Sequence, residues 1–311
     1  MLTRRQLVAA LCASCAAARL PADQKNGARV YHLLGIPLRT GSLYPGSEND
    51  AQAYRDVRLL EQLQAAKCNV VDDGNLAIPS YLPHHSIPPI RNWPGPRIVW
   101  DLVAERIAPW VRNAGSIPVL LGCDCSVVVG TTQALLHAGA GDVHVIYMDG
   151  DFDDAAPEPA RCQSAAAAAV WLLTHASPFW AGPALEPSRV SVVGWSRPSQ
   201  SKEAGLRSYP LAEMRGTGVE STARRILESI PSSASILLHL DIDCMRQQDT
   251  PAAYFPHPEG MSLAEAGALF GILAKDRRLR IIEISEYCAL RDSDRRCAAQ
   301  LARLLVEGLK G

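Results

Sequence analysis

The sequence predicts an α/β fold in one domain, built around a mostly parallel sheet. Short apolar runs alternate along the chain with longer stretches of helical periodicity, which is the pattern of βαβ units. Several of the short runs are apolar at most positions, as expected for strands that helices cover on both faces. The chain has 311 residues, 48% of them hydrophobic, so it is long enough to build one large core.

The strands and helices are predicted in regular alternation. Apolar runs predict strands at residues 29–36, 68–71, 117–121, 143–148, 189–193, 235–240 and 279–284. Helical periodicity predicts helices at residues 50–66, 98–113, 127–138, 163–175, 220–229, 262–274 and 295–309. A Pro-rich stretch at 78–96 predicts a long surface loop. No internal repeat or linker divides the chain, so residues 23–311 are predicted to form a single domain.

The segment at residues 1–22 has the layout of an export signal. Arg4 and Arg5 precede an uninterrupted apolar run from Leu7 to Ala18, which ends in small residues. The paired arginines are similar to a twin-arginine signal, so we predict export to the periplasm or beyond the cell. The alternative is the amphipathic N-terminal helix of a cytoplasmic protein.

Charge and hydropathy argue against two classes of protein. A formal net charge of −1 disfavours a nucleic-acid-binding protein, which would carry a strong basic excess. No apolar run reaches about eighteen residues, so no membrane-spanning helix is predicted. The seven cysteines beyond the predicted signal match no zinc-ribbon spacing, and their odd number leaves one thiol free or metal-bound after export.

Acidic and thiol side chains follow three of the predicted strands. The runs are GCDCS at 122–126, DGDFDD at 149–154 and DID at 241–243. Ligands of parallel sheets bind beyond the carboxyl ends of the strands, so these runs are expected to meet at one edge. Carboxylates this close repel one another unless a cation neutralises them. The sequence therefore predicts a shared metal site.

Each motif by itself has another interpretation. DGDFDD is not an EF-hand loop, because Asp154 stands where the sharp-turn glycine is needed and Ala160 where the bidentate glutamate is needed. It could be a solvated acidic turn, although Asp149 follows a buried apolar run and would be hard to solvate. The DID run could cap a helix. Cys125 could be a small buried apolar residue.

In order and spacing, the motifs resemble those of the arginase/agmatinase/formiminoglutamase (ureohydrolase) family. That family carries GGDHS, DAHxD and SxDxDxxDP, and this chain has GCDCS, DGDFD and HLDID in the corresponding places. GMSLAE at 260–265 resembles the family's later helix start, and EISE at 283–286 resembles its DxxE segment. The resemblance extends from about residue 28 to the end. It implies a three-layer α/β/α sandwich with a mostly parallel sheet of about eight strands.

The resemblance also implies a metal centre, because family members hold two Mn²⁺ ions with six side chains. Four of the six positions keep the family's aspartate: Asp149, Asp153, Asp241 and Asp243. The other two hold Cys125 and Asp151 in place of histidines, and a thiolate or a carboxylate can also bind a metal. We expect a divalent ion, manganese by resemblance, with zinc or iron open because of Cys125. A mononuclear site that uses Cys125 is an alternative.

The two exchanged histidines change the charge of the centre. A thiolate and a carboxylate in their place leave a surplus of two negative charges over two divalent ions, which is costly in a buried site. Arg246 stands where the family has the third aspartate of its last motif. We expect its guanidinium to lie near Asp241, Asp151 or Cys125 and to supply part of the missing positive charge.

Three residues are candidates for catalysis: Asp151, His239 and Glu286. Glu286 matches the position at which arginase-like members hold the guanidinium, so it is expected to bind a cationic substrate. His239 replaces the family's serine and is expected to support the ligands from behind or to carry protons. The family's shuttle histidine has no counterpart at 161–165. The histidines outside the motifs, including His257, are predicted mostly in loops or at the surface.

The resemblance implies a metal-dependent hydrolase of the amidinohydrolase type, acting on linear amidines. A metal-bound hydroxide would attack a C–N bond of a guanidino, amidino or related small molecule. The alternative is a catalytically silent protein of the same fold that binds metal or ligand or serves as a structural subunit. Loss of the shuttle histidine favours the alternative, and ligand-capable residues at all six positions oppose it. A small-molecule substrate and a homo-oligomer, trimer or hexamer, are the implied partners.

Overall fold

A computed structural model describes residues 29–42, 44–46, 48–180, 182–197 and 205–311. The export signal predicted at 1–22 lies outside the described residues. Within these ranges, no helix has the length and apolar character needed to cross a membrane.

Eight strands form one sheet. They are β1 (Val30–Gly35), β2 (Asn69–Asn75), β3 (Ser116–Cys123), β4 (Val143–Met148), β5 (Val190–Val193), β6 (Arg207–Tyr209), β7 (Ser235–Asp241) and β8 (Leu279–Ser285). Their order across the sheet is β2-β1-β3-β8-β7-β4-β5-β6, and every neighbouring pair is parallel. The predicted parallel sheet is therefore confirmed.

Nine α-helices connect the strands in the described part of the chain. They are α1 (Gln52–Asp56), α2 (Leu59–Ala65), α3 (Gly95–Val111), α4 (Val127–His137), α5 (Ala169–Thr174), α6 (Leu211–Thr217), α7 (Val219–Ser229), α8 (Leu263–Ala274) and α9 (Arg296–Leu309). In α8, the Ser262 side chain accepts from the backbone of Glu265, and the Glu265 side chain accepts from the backbone of Ser262. This capping box explains the GMSLAE motif as a helix start.

The sheet lies between two hydrophobic cores, one on each face. In β3, Val119 and Leu121 belong to one core while Leu120 belongs to the other, as the two-residue period of a strand requires. Helices α3, α4 and α5 pack on one face, and the remaining helices pack on the other. The predicted three-layer α/β/α sandwich is confirmed.

The sequence pattern alone missed two elements and misplaced some helix ends. Strand β6 has three residues, of which only Tyr209 is buried, so it has no apolar run to read. Helix α6 directly follows it and was also missed. The single helix predicted at 50–66 is two helices, because Arg58 takes a φ of 61° between them. The helix predicted at 163–175 begins only after a 3₁₀ turn at Ala166–Ala168.

The strand order places the sequence motifs side by side. Strands β3, β8, β7 and β4 are consecutive neighbours in the middle of the sheet. GCDCS overlaps the end of β3 and continues beyond it, Glu286 follows β8, DID begins at the last residue of β7 and DGDFDD follows β4. Because all four strands are parallel, their carboxyl ends lie along one edge, where ligands of such sheets bind.

Candidate metal centre

The predicted ligands converge at this edge. Asp149, Asp241 and Asp243 each offer an oxygen, and these atoms lie within 4.8 Å of one another. Cys125, Asp149 and His239 form a second group with the same spacing. The structure thus brings four of the six predicted ligands together with His239, which was not predicted as a ligand. Asp149 belongs to both groups and is the centre of the cluster.

Backbone amides hold one oxygen of each central carboxylate. The Asp151 amide donates to Asp149 Oδ1 at 2.7 Å, and the Asp243 amide donates to Asp241 Oδ1 at 2.7 Å. Asp241 therefore caps the 3₁₀ turn Ile242–Cys244, as the alternative interpretation of DID expected. That cap uses only one of its two oxygens, so capping and metal binding are compatible.

The cluster carries more negative charge than its surroundings neutralise. Burial raises the pKa of Asp149, Asp153 and Asp241 well above the usual value, and repulsion between neighbouring carboxylates raises it further. Asp149 Oδ2 is buried and has no hydrogen-bond partner. A bound cation would satisfy this oxygen and remove the repulsion, so the residues present fit a metal ion.

Cys125 is buried beside the carboxylates. Its Sγ lies 2.7 Å from Asp241 Oδ2 and 3.3 Å from Ser285 Oγ. Burial, followed by the charge of Asp241, raises the pKa of the thiol well above its ordinary value. Without a metal the thiol is therefore protonated, and the thiolate requires a cation beside it. This position suits a ligand that loses its proton on metal binding.

His239 lies behind the ligands, completely buried. Its ring stacks on Tyr147 with centroids 4.3 Å apart and an angle of 3° between the planes. His239 Nδ1 lies 2.6 Å from Glu283 Oε2, and Nε2 lies 3.0 Å from Ser285 Oγ. We assign the proton to Nδ1, which places a donor against the Glu283 side-chain oxygen. A chain of contacts therefore runs from Glu283 through His239 and Ser285 to Cys125.

We expect Glu283→Gln to weaken metal binding without touching the cavity. A glutamine can turn its NH2 group as well as its oxygen toward Nδ1, so it no longer excludes the other tautomer of His239, with the proton on Nε2. Ser285 would then have to reorient beside Cys125. Disturbing such a supporting group typically weakens metal affinity roughly 10- to 100-fold. Titration with Co²⁺, followed by the thiolate-to-metal absorption band, checks this. Exposed Glu105→Gln is the matched control, and equal affinities for the two variants would contradict the assigned role.

A cavity of about 470 Å³ opens above the cluster. Its lining combines predicted site residues, aromatic rings and two arginines: Cys125, Asp151, Asp153, Asp241, Asp243, Glu286, Tyr44, Phe152, Tyr254, Phe255, Arg161 and Arg197, among others. His239 does not line it, and neither does any other histidine of the described residues. The cavity therefore gives a small molecule access to the candidate ligands.

Glu286 offers one free carboxylate oxygen. The residue has a φ of 56° at the turn after β8, and Ser42 Oγ donates to its Oε2 at 3.0 Å. Its Oε1 is buried and has no partner. Burial, with a further contribution from the charge of Asp124, raises the pKa of Glu286 to about 8. A buried carboxylate with an unused oxygen is suited to a cationic group of a ligand.

The expectation for Arg246 is wrong. Its Nε pairs with Asp249 Oδ2 at 2.7 Å, and its side chain is 39% exposed. The backbone amide of Arg246 donates to the carbonyl of Met261 at 3.0 Å, which holds the chain at Arg246 against the chain at Met261. No hydrogen bond or ion pair joins its side chain to the described residues of the metal cluster.

Two residues that the sequence did not indicate contact the cluster instead. Arg197, in the loop after β5, forms an ion pair with Asp151 and donates to His257 Nε2 at 2.6 Å. The same His257 nitrogen lies 3.1 Å from Asp243 Oδ2. His257 lies in the loop before α8, as the sequence predicted for most of these histidines, but it is only 5% exposed. No sequence motif includes either residue. Arg197 is near the site because strand β5, which it follows, pairs with β4.

A parallel sheet with buried carboxylates and a thiol at one edge defines an α/β protein with a candidate metal centre. The Arginase family model matches residues 29–309, so this chain belongs to the arginase family. Arginase-1 of Bos taurus is 24% identical over 258 residues, which cover 75% of this chain and 77% of the relative. The arginase of Bacillus subtilis (strain 168) is 23% identical over 295 residues, covering 90% and 97%.

A solved structure shows the same fold. The crystal structure of arginase from Bacillus cereus superposes with a TM-score of 0.78 at 19% identity, covering 91% of this chain and 99% of its own. The resemblance of the three motifs to the ureohydrolase family is therefore confirmed for both family and fold.

Proposed function

We propose that this protein is a metal-dependent hydrolase that cleaves a C–N bond of a guanidino or amidino small molecule. One observation carries the proposal. The buried carboxylate cluster, with its unpartnered Asp149 oxygen, adjoins a cavity that Glu286 also lines, and Glu286 has an unpartnered oxygen of its own. A metal site and a cation-binding carboxylate therefore border one space, as hydrolysis of a cationic C–N compound requires. Membership of the arginase family supports the same reaction class.

Five side chains are the candidate metal ligands. Cys125, Asp149, Asp153, Asp241 and Asp243 would hold the metal. When bound, the metal supplies activation of a water molecule and neutralisation of developing negative charge. Manganese agrees with the family, and the thiol of Cys125 would favour a softer ion such as zinc or iron.

Glu286 would orient the substrate. Its unpaired oxygen can accept from a guanidinium or amidinium N–H, while Ser42 fixes the other oxygen. The aromatic side chains of Phe152 and Phe255 line the same cavity and would exclude water from the bound cation. The reacting carbon would then be held between Glu286 and the metal cluster.

A catalytically silent member of the family is the second candidate. The observation that favours it is the lack of any histidine among the described residues that line the cavity. A hydrolase of this kind must protonate its leaving amine, and the lining offers only carboxyl groups, a thiol and hydroxyls for that step. Asp151 would be the proton donor in the active enzyme: burial and the charge of Asp243 raise its pKa, and the charge of Arg197 only partly offsets them.

The deciding experiment is a screen for metal-dependent turnover. The protein is stripped with a chelator, reloaded separately with Mn²⁺, Zn²⁺ or Fe²⁺, and incubated with a panel of guanidines and linear amidines. Release of urea, ammonia or amine is measured. We expect no turnover after stripping and restoration by one of the three ions. Stoichiometric metal binding with no turnover of any compound would favour the silent member.

A further inference from the structure

We infer that Arg197, positioned by His257, occupies the side of the centre formed by Asp151 and Asp243, so that each chain binds one divalent ion. Six ligand-capable side chains would otherwise have room to share two ions. The inference rests on the proposed function only in requiring that a metal binds.

The contacts of Arg197 place its positive charge on this side. One guanidinium nitrogen pairs with Asp151 Oδ2 and lies 2.6 Å from His257 Nε2. That imidazole nitrogen lies 3.1 Å from Asp243 Oδ2. The guanidinium is thus paired with Asp151 directly. Arg197 and Asp243 both lie within hydrogen-bond distance of the same imidazole nitrogen, which can bond to only one of them at a time.

The surrounding chain is shaped to hold this arrangement. A Cβ atom on Gly150 would lie 2.6 Å from His257 Cδ2 and 2.8 Å from the carbonyl oxygen of Asp243, so only glycine leaves room for the imidazole. The Ser196 amide donates to the Gly150 carbonyl at 3.1 Å and ties the arginine loop to the acidic loop. The guanidinium carbon also lies 4.9 Å from the centre of the Phe255 ring.

The opposite side of the centre has no such cation. The polar contacts of Cys125, Asp149, Asp153 and Asp241 within the described chain are with other acidic groups, hydroxyls and backbone amides. Asp151 is neutralised by Arg197, because an arginine keeps its charge at any physiological pH. The uncompensated negative charge therefore lies on the Cys125 side, where one ion would bind. A second ion would have to displace Arg197 from Asp151.

Metal stoichiometry tests this directly. Stripped protein is reloaded with excess Zn²⁺ or Mn²⁺, freed of unbound metal, and analysed by native mass spectrometry and elemental analysis. We expect one ion per chain in the wild type and two in Arg197→Ala. Removing the fixed charge should tighten binding of the second ion on the order of 100-fold. Arg246→Ala, which removes an arginine paired outside the centre, should stay at one ion.

A second variant tests whether Arg197 blocks a second ion or whether Asp151 is only a weak metal ligand. Asp151→Asn should keep one ion per chain if Asp151 holds Arg197 rather than metal. Two ions in the wild type, or one ion in Arg197→Ala, would overturn the inference while leaving the proposed hydrolase intact. No bound metal in any variant would overturn both.

Discussion

Replacing Asp149 by asparagine is expected to stabilise the metal-free protein and to abolish tight metal binding. Asp149 is buried, one of its oxygens has no partner, and its carboxylate neighbours raise its pKa. A neutral amide of the same shape removes the repulsion and can donate to those carboxylates, which should add about 1–3 kcal/mol to the free energy of unfolding. The same change removes the ligand that both groups of the cluster share, so metal affinity should fall roughly 1,000-fold or more.

Chemical denaturation of the stripped proteins and metal titration measure the two effects. The stripped wild type should also lose stability as pH rises from about 4, the unfolded carboxyl pKa, through the raised folded values, because only the folded chain still holds these protons. Asp101→Asn, on a partly exposed ion pair of α3, is the control; it should leave metal affinity unchanged and alter the free energy of unfolding by less than about 1 kcal/mol. An Asp149→Asn protein that keeps its metal would contradict the assignment of Asp149 as the shared ligand.

The fold was predictable because its strands are read locally. Strands such as β4, which is apolar at every position except His144, predict a sheet buried on both faces without any knowledge of their neighbours. Strand β6 could not be predicted from the sequence, because it is a short edge strand whose conformation depends on pairing with β5. The interruption between helices α1 and α2 at Arg58 could not be predicted either, since no glycine or proline stands there.

The site was predictable only where its residues follow a strand directly. Asp149, Asp241 and Cys125 could be placed together because a parallel sheet aligns the ends of its strands. Arg197 and His257 are distant from every motif, and their contact with the cluster depends on strand order and on the missing side chain of Gly150. The error over Arg246 has the same origin, because position in a motif does not determine where a long side chain points.

The exchanged residues form a consistent set. Cys125 stands where the family resemblance predicts a metal ligand, and it contacts Ser285, whose hydroxyl also contacts His239. Asp151 takes the second position and is matched by the charge of Arg197. Loss of histidines at the ligand positions is thus accompanied by new contacts around both replacements, which argues for a site that is adapted rather than decayed.

Glu286→Gln is expected to lower kcat/KM on the order of 100- to 1,000-fold, about 3–4 kcal/mol, while leaving metal stoichiometry unchanged. Glutamine keeps the shape and can still accept from Ser42, but it lacks the charge that a guanidinium or amidinium requires. Among the described residues, no hydrogen bond joins the carboxyl group of Glu286 to Asp149 or Asp241, so the variant should still bind the metal. Exposed Glu186→Gln is the matched control.

The raised pKa of Glu286 gives this variant a second readout that does not depend on turnover. In the metal-free protein, the carboxyl becomes ionised as pH rises through about 8, whereas a guanidinium ligand stays charged throughout. Wild-type affinity for a guanidinium compound should therefore increase from pH 6 to pH 9, and the increase should be smaller in Glu286→Gln. Calorimetric titration of both proteins at several pH values measures it. The same pH dependence in both would mean that Glu286 does not bind the cation, and the carboxylates of the metal cluster would then account for the attraction.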